Sequence, residues 1–565
     1  MATGDGDGCD HPGPDRRRFL QAGALGLIGW GAGLEAAAGE TLYNGIRLPA
    51  SWPPRPKAIP REPVTPPYLT SPPAVIPIDV GRQLFVDDFL IEQTSLRRTF
   101  HRARYHPACP VLAPDKSWER AGGGGPVAMV FSDGVWYDPK DGLFKMWYMG
   151  GLLRGTCYAA SEDGTHWSKP ALDVRKGTNL VQGDPRDSST VWLDLEEPDP
   201  RRRFKMFRSY LYRGKFVLSA HFSADGIHWG EVAVRTGPCG DRTTVFWNPF
   251  RKVWVYSLRN GGGPRLRRYR ESRELLTGPR WEHIDEPPLW IGADRLDPER
   301  ADLKVRPELY NLDAVAYESL LLGLFTIWRG QPADRAKPND IVLGYSRDGW
   351  HWSRPDRRAF CPVSDQPGTW NYSNAQSAGG CCLVVGDRLY FYVSGRAGVA
   401  GGPGSGRCSC GLAVLRRDGF ASMDAGVAEG TLTTRPVRFR GRHLFVNADC
   451  AAGELRVEVL DGRGRTVAPF SRQNCRPVRA DATLQRVRWK GAGDLAALAG
   501  KAVRFRFALT RGRLYSFWVS PEASGASHGY VAAGGPGFTG PKDDVGLAAY
   551  EAAARLHSGK IQRAK

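Results

Sequence analysis

The sequence predicts an all-β protein, a five-bladed β-propeller followed by a β-sandwich domain. Three observations predict it. A turn motif recurs at a fixed spacing, each copy follows a pair of short aromatic strands, and beyond residue 429 the repeat stops while short alternating strands continue. Composition agrees: Gly 68 and Pro 42, beside 18 Trp, 19 Tyr and 23 Phe in 565 residues, favour tight turns and aromatic strands over helical bundles.

The first 38 residues read as an export signal. Arg16-Arg17-Arg18-Phe19-Leu20 is a twin-arginine pair; a weakly apolar, Gly-rich stretch from Ala22 to Leu34 follows, then Ala36-Ala37-Ala38 as a small-residue cleavage site. The three parts in that order predict a bacterial Tat substrate, handled by the Tat export machinery and working in the periplasm or outside the cell. Residues 39–80 hold eleven prolines between Pro49 and Pro77 and predict an extended arm, tethering the body or wrapping along its surface.

Residues 81–428 carry the repeat. Ser161-x-Asp163-Gly164-x-His166-Trp167 returns as Ser223-x-Asp225-Gly226-x-His228-Trp229 and as Ser346-x-Asp348-Gly349-x-His351-Trp352. The first interval is 62 residues and the second 123, so a copy is expected midway, where Ser272 to Trp281 is a degenerate version. Arg417-Asp418-Gly419-Phe420 is a fifth fragment. Upstream strand pairs accompany the turns, as in Val135-Trp136-Tyr137 with Phe144-Lys145-Met146-Trp147-Tyr148. The motif offers Ser, Asp and His together, yet a residue recurring in every blade is equally placed in every blade. Ser and Asp are therefore read as turn caps and Trp as packing between blades.

Residues 429–520 alternate in short strands such as Leu455-Arg-Val-Glu-Val459 and predict the sandwich. Residues 521–565 turn Gly/Ala-rich and predict a peripheral tail with a short helix over 546–558.

The formal net charge is +19, but the Arg residues are scattered through strand-like segments such as Val503-Arg504-Phe505-Arg506-Phe507, which argues against a nucleic-acid partner and suits an anionic carbohydrate. No apolar run reaches the ~18–20 residues of a membrane span. The Cys residues lack metal-site spacing, so neither metal nor cofactor is expected; Cys450 and Cys475 are the pair placed to bridge within one domain.

Function in a propeller belongs at the channel mouth, on loops that lead into the innermost strands. Asp187 and Asp241 each stand seven positions ahead of a strand-turn residue, Asp194 and Asn248. The fourth blade offers Asn311, Asp313 and, at the turn position itself, Glu318. The first offers Glu119 and Asp133, with Asp87-Asp88 as a looser source of its carboxylate. The fifth offers Trp370 and Asn374. Carboxylates and amides beside aromatic rings suit sugar recognition, and a carboxylate pair supplies the acid and the nucleophile or base of glycoside cleavage. The expected catalytic residues are Asp187, Asp241 and Glu318, with Glu119, Arg242, Asn311, Asp313, Trp370 and Asn374 binding substrate.

Leu84-Phe85-Val86-Asp87-Asp88, the Tyr-Asp-Pro and Phe-Lys-Met-Trp-Tyr strand pair, the repeated turns and the following sandwich resemble the five-bladed propeller glycosidases of glycoside hydrolase families 32 and 43, over roughly residues 81 to 520. The resemblance implies a glycoside hydrolase. Arg186-Asp187-Ser188 partly matches the family-32 Arg-Asp-Pro motif of the transition-state-steadying Asp. The Trp-x-Asn-Asp-Pro-Asn nucleophile signature is absent, as is any Glu-Cys dipeptide for the acid/base. These departures argue against fructan cleavage and leave the sugar open. Two alternatives stand beside hydrolysis: a carbohydrate-binding propeller without catalysis, and a glycoside phosphorylase in which Arg242 or a neighbouring Arg holds phosphate. A sialidase fits less well, since its turn motif has one more residue between Asp and Gly.

Overall fold

The structure is a computed structural model whose described residues are 39–122, 125–398 and 406–557. The export signal at 1–38 lies outside them. Five antiparallel sheets follow one another along the chain. The first three each run outward through four consecutive strands: from Ala128–Asp138 to Leu180–Gln182, from Ser189–Leu193 to Val234–Arg235, and from Thr244–Asn248 to Leu289–Ile291. The fourth uses Glu308–Glu318, Leu320–Trp328 and Asn339–Ser346, with isolated bridges from Ile341 to Cys361 and from Tyr345 to Ser353 at its outer edge. The fifth has an inner edge split into Ala375–Ser377 and Leu383–Val385, then Arg388–Arg396 and Cys408–Arg416. Its outer strand, Arg104–Tyr105, comes from the start of the chain.

Hydrogen bonds join each inner strand to the next and close the ring. Trp136 Nε1 donates to Val191 O at 2.8 Å, Ser188 Oγ to Thr243 O at 3.0 Å and Thr244 Oγ1 to Leu312 O at 2.8 Å. Ser377 Oγ donates to Asp313 Oδ2, linking the fourth and fifth inner strands, and Val135 N donates to Gly379 O at 3.3 Å, which returns to the first sheet. Because every sheet begins at its inner strand, all inner strands run the same way, with the loops that precede them at one mouth and the hairpins at the opposite end.

The recurring motif is a turn device. Asp163 Oδ1 accepts the N–H groups of Thr165 and His166 at 2.7 and 2.8 Å, and Ser161 Oγ accepts that of Gly164 at 2.9 Å. The same bonds recur at 223–228 and 346–351. Neighbouring sheets hold the turns: Trp147 Nε1 donates to Gly226 O, Tyr392 OH to Gly164 O and Trp290 Nε1 to Trp350 O. Three motif glycines lie at φ of 77, 80 and 86°, where a Cβ is strained.

Two further sheets form the sandwich. One pairs Asp481–Arg486, His443–Asp449, Gly512–Ser520, Ala421–Ala425 and Arg97–Phe100; the other pairs Glu454–Leu460, Arg504–Thr510, Gly430–Thr434 and Ile91–Thr94. Phe505 and Phe507 are buried between them while Arg504 and Arg506 face outward to Glu92 and Glu458. The expectation of a sandwich that simply follows the propeller is corrected here: residues 91–100, ahead of the propeller, supply one strand to each sandwich sheet.

The arm follows one of its two expected courses, and the tail departs from its own. Leu42, Ile46, Leu48, Tyr68, Ile76 and Ile78 are buried in the sandwich core, so the arm wraps the body and contributes apolar side chains to it. The tail is integral rather than peripheral. Tyr530–Val531 pairs with the end of Glu308–Glu318, and Ala533 and Gly534 exchange backbone hydrogen bonds with Tyr137, Cys382 and Val384. The tail thus spans the hairpin end of the channel, and its described residues run into a helix, Leu547–His557. Cys450 and Cys475 are unbridged; Cys475 Sγ instead accepts the Val457 N–H at 3.2 Å.

Propeller, sandwich and tail meet at a buried ionic cluster. Arg82 pairs with Asp418 at 3.1 Å and Glu318 at 3.4 Å, and Arg417 with Asp543 at 2.8 Å and Glu318 at 3.1 Å, every side chain being inaccessible. Tyr317 OH and Ser516 Oγ donate to Asp418 at 2.6 and 2.7 Å. Gly81 (φ 70°) packs so close that a Cβ would lie 2.5 Å from the Glu318 carbonyl carbon. Burial alone would raise the Asp418 and Asp543 carboxyls, but Arg82 and Arg417 outweigh it and hold both below the usual carboxylate range. Their contribution to stability is therefore complete above the ordinary carboxylate pKa and is lost as pH falls through the lowered folded values. Asp418→Asn, which breaks the buried Arg82–Asp418 pair and sets an amide N–H group among the donors of Arg82, Tyr317 and Ser516, should cost about 3 kcal/mol. Melting followed by circular dichroism at neutral pH, and again along a descending pH series, checks both expectations.

Candidate active site

The mouth is built from irregularities in the inner strands. In Ala128–Asp138 the pairing jumps from Met129 to Gly134, so residues 130–133 bulge, with Ser132 at φ 68°. In Glu308–Glu318 it jumps from Leu309 to Asn311. Bulges re-aim side chains, and a non-glycine residue at positive φ is held there by its surroundings.

The bulges bring a polar layer together across three sheets. Asp313 Oδ2 accepts from Ser132 Oγ at 2.9 Å, Asn311 Nδ2 at 2.9 Å and Ser377 Oγ. Asn311 Nδ2 also donates to Ser132 Oγ at 3.0 Å. Asp133 pairs with Arg186 at 2.9 Å, with both side chains buried. Burial pushes the Asp133 carboxyl up to about 6 against the pull of Arg186, and raises Asp313 against that of Arg242.

Above this layer Asp187 and Asp241 stand at the rim, partly exposed. Asp187 follows Arg186, whose Nη1 donates to the Asp187 carbonyl at 3.0 Å; the Asp187 N–H donates to Ser209 O at 2.8 Å. Asp241 Oδ1 accepts the Arg242 N–H at 2.8 Å and pairs with Arg259 Nε at 3.0 Å. Burial, then the charge of Asp241, raises the Asp187 carboxyl, while Arg242 and Arg186 pull the other way. One rim carboxylate thus forms an ion pair with Arg259, and the carboxyl of its neighbour is raised by burial and by that neighbouring charge.

Of the residues expected at the site, the structure brings Asp187, Asp241, Arg242, Asn311 and Asp313 together at the mouth. Asn374 is at the same end but committed: its Nδ2 donates to Lys337 O at 2.7 Å and its Oδ1 accepts from Gln376. Three belong elsewhere. Glu318 closes the hairpin at the opposite end of its strand, within the buried ionic cluster, because it occupies the turn position shared with Asp194 and Asn248. Glu119 is inaccessible, its oxygens taken by the N–H groups of Asp115 and Lys116, by Tyr148 OH and by Lys169 Nζ. Trp370 packs on the glycine floor of the fifth sheet; a Cβ at Gly395 or Gly411 would lie 2.5 or 2.2 Å from its ring. Its edge meets Tyr105 with centroids 5.2 Å apart. Asp87, the looser candidate, is buried in a pair with Arg347 at 2.9 Å, while Asp88 meets Arg98.

Ser132, Ser377, Arg259 and Arg267 belong to the site and were not expected. The Ser-Asp-Gly run at 132–134, turn chemistry inside a strand, was the available signal for the first. Among the described residues no cluster of three or more His, Cys, Asp or Glu is arranged to hold a metal ion.

No protein-family model matches the chain, and no curated protein matches it. Among solved structures it is similar to a thermostable family-43 glycoside hydrolase (11% identity, 54% of this chain and 96% of that one, TM-score 0.37). It is also similar to a glycosyl hydrolase from Bacteroides ovatus (12%, 59% and 96%, TM-score 0.37). A third is from a study of the GH130 family of mannoside phosphorylases, described as containing glycoside hydrolases that target β-1,2 mannosidic linkages (13%, 58% and 97%, TM-score 0.36). Likeness of this order assigns no role to a side chain here.

Trp370→Ala should act on folding, opening a cavity against the fifth sheet at a cost of about 3 kcal/mol. Denaturant unfolding checks the loss, and sugar binding by the folded fraction should be unchanged.

Proposed function

We propose that the protein is an exported enzyme that cleaves glycosidic bonds at the channel mouth, with Asp187 as proton donor and Asp241 as the ionised partner, acting as nucleophile or base. The observation that carries this reading is the pairing of two partly exposed carboxylates in opposite electrostatic settings. Asp241 is held by Arg259 and a backbone N–H, whereas Asp187 is raised by burial and by Asp241 itself. A carboxyl raised by burial beside a carboxylate held in an ion pair is an arrangement from which one site can supply both an acid and a base. Asp313, fixed by Ser132, Asn311 and Ser377, forms the channel wall behind them, a hydrogen-bonding surface suited to sugar hydroxyls.

The reaction is followed as product release from polysaccharides and aryl glycosides by protein lacking residues 1–38. Asp187→Asn and Asp241→Asn should each lower kcat at least about 100-fold, as loss of a general acid or base does. Because Asp187 acts protonated and its carboxyl is raised, the alkaline limb of the pH–rate profile should lie above the ordinary carboxylate range. Binding of a glycan without cleavage of any substrate would replace this reading with a non-catalytic one. Cleavage untouched by either substitution would move the chemistry elsewhere.

A further inference from the structure

Ten arginines among the described residues are buried: 82, 186, 208, 242, 251, 267, 329, 347, 354 and 417. Eight of them form ion pairs with carboxylates. Burying a cation without a partner is costly, which is why this fold pairs them so consistently. The two exceptions, Arg242 and Arg267, are neighbours at the channel mouth.

They differ in how their donors are used. Arg267 is satisfied by neutral oxygens: Nε by Ser257 Oγ at 3.0 Å, Nη1 by Tyr310 O at 3.2 Å, and Nη2 by Ser257 O, Asn311 Oδ1 and Arg242 O. It braces the backbone of Arg242. Arg242 itself is 1% exposed and makes one side-chain hydrogen bond, from Nη1 to Phe131 O at 2.9 Å, with its guanidinium carbon 3.7 Å from the centroid of the Phe131 ring. Among the described residues its Nε and Nη2 have no acceptor. Asp313 and Asp187 act on it through space, but neither is within ion-pair distance.

We propose that Arg242, braced by Arg267, receives an oxyanion group of the ligand at the channel mouth, the carboxylate of an acidic sugar or a phosphate. A planar fork with adjacent free N–H donors is the geometry that binds carboxylate and phosphate bidentately, and water exclusion strengthens the bond. The proposal rests on the mouth being the functional site.

The test uses protein lacking residues 1–38, as wild type, Arg242→Gln and Arg242→Lys, titrated calorimetrically and by thermal shift with D-glucuronate, D-galacturonate, inorganic phosphate and D-glucose. Wild type should bind an oxyanion probe and melt higher with it. Arg242→Gln should bind that probe at least about tenfold more weakly, with Arg242→Lys in between, and D-glucose should not distinguish the three. A response to uronates alone identifies a sugar-borne carboxylate; a response to phosphate alone identifies a free anion. Without ligand, Arg242→Gln should melt no lower than wild type, since it removes an unpaired buried charge. A much lower melting temperature would make Arg242 a structural residue and overturn the proposal. So would absent oxyanion binding, or equal binding in all three proteins. Cleavage of neutral glycosides without any Arg242-dependent anion binding would sink this inference and leave the catalytic reading standing. Arg242-dependent anion binding without cleavage would do the reverse.

Discussion

The buried ionic cluster at the hairpin end of the channel is the constraint on which the rest of the molecule depends. Its members come from distant parts of the chain: Arg82 ahead of the propeller, Glu318 in the fourth sheet, Arg417 and Asp418 in the fifth turn, Asp543 in the tail. Ser516 adds a sandwich strand. No member is tolerable alone in a water-free interior, so each segment must be in place for the others to remain charged. The cluster therefore couples the two hydrophobic cores.

That coupling explains why one end of the channel is free to carry chemistry. The hairpin end is filled by the tail and the ionic cluster, whose arginines and carboxylates are paired with one another. The mouth is made from loops and strand bulges, whose irregular backbone the ring holds in place. Strain of the kind seen at Ser132 persists only where surrounding structure enforces it. Here the enforcement comes from Asp313, Asn311 and the return hydrogen bond from Gly379 to Ser132 O.

Much of the architecture was legible because propellers repeat. Every sheet needs the same turn after its third strand, so the Asp-Gly copies announce themselves, down to the degenerate one at Ser272. Unrepeated pieces were not legible. Arg104–Tyr105 is too short to show a period, and Ile91–Thr94 finds its partner more than three hundred residues later, at Gly430–Thr434. The rim aspartates were legible from their fixed distance to strand turns. Glu318 was misplaced although the same alignment put it opposite Asp194 and Asn248, which are hairpin residues at the far end. Glu119 and Trp370 were misplaced because sequence shows residue type but not whether neighbours have already taken its donors, acceptors or faces. Arg259 and Arg267, from the second and third strands of the third sheet, were hidden because their direction depends on cross-strand register.

The two ends of the channel use the same residue types to opposite effect. At the hairpin end Arg82 and Arg417 are each met by two carboxylates, and the outcome is a lock. At the mouth Arg242 is met by a carbonyl and an aromatic ring, and the nearest carboxylates stand off. A fold that pairs eight of ten buried arginines has ready means to pair a ninth, since Asp187 and Asp313 are close enough to be felt electrostatically. Had either closed on Arg242, its own charge would have been fixed and the rim would have lost a carboxyl able to exchange a proton. Keeping the cation apart from them leaves Asp187 raised and Asp313 available to hydroxyls. The unmatched arginine and the raised aspartate are thus two consequences of one spacing, and the binding and proton transfer proposed for the mouth rest on that spacing rather than on the better-connected hairpin end.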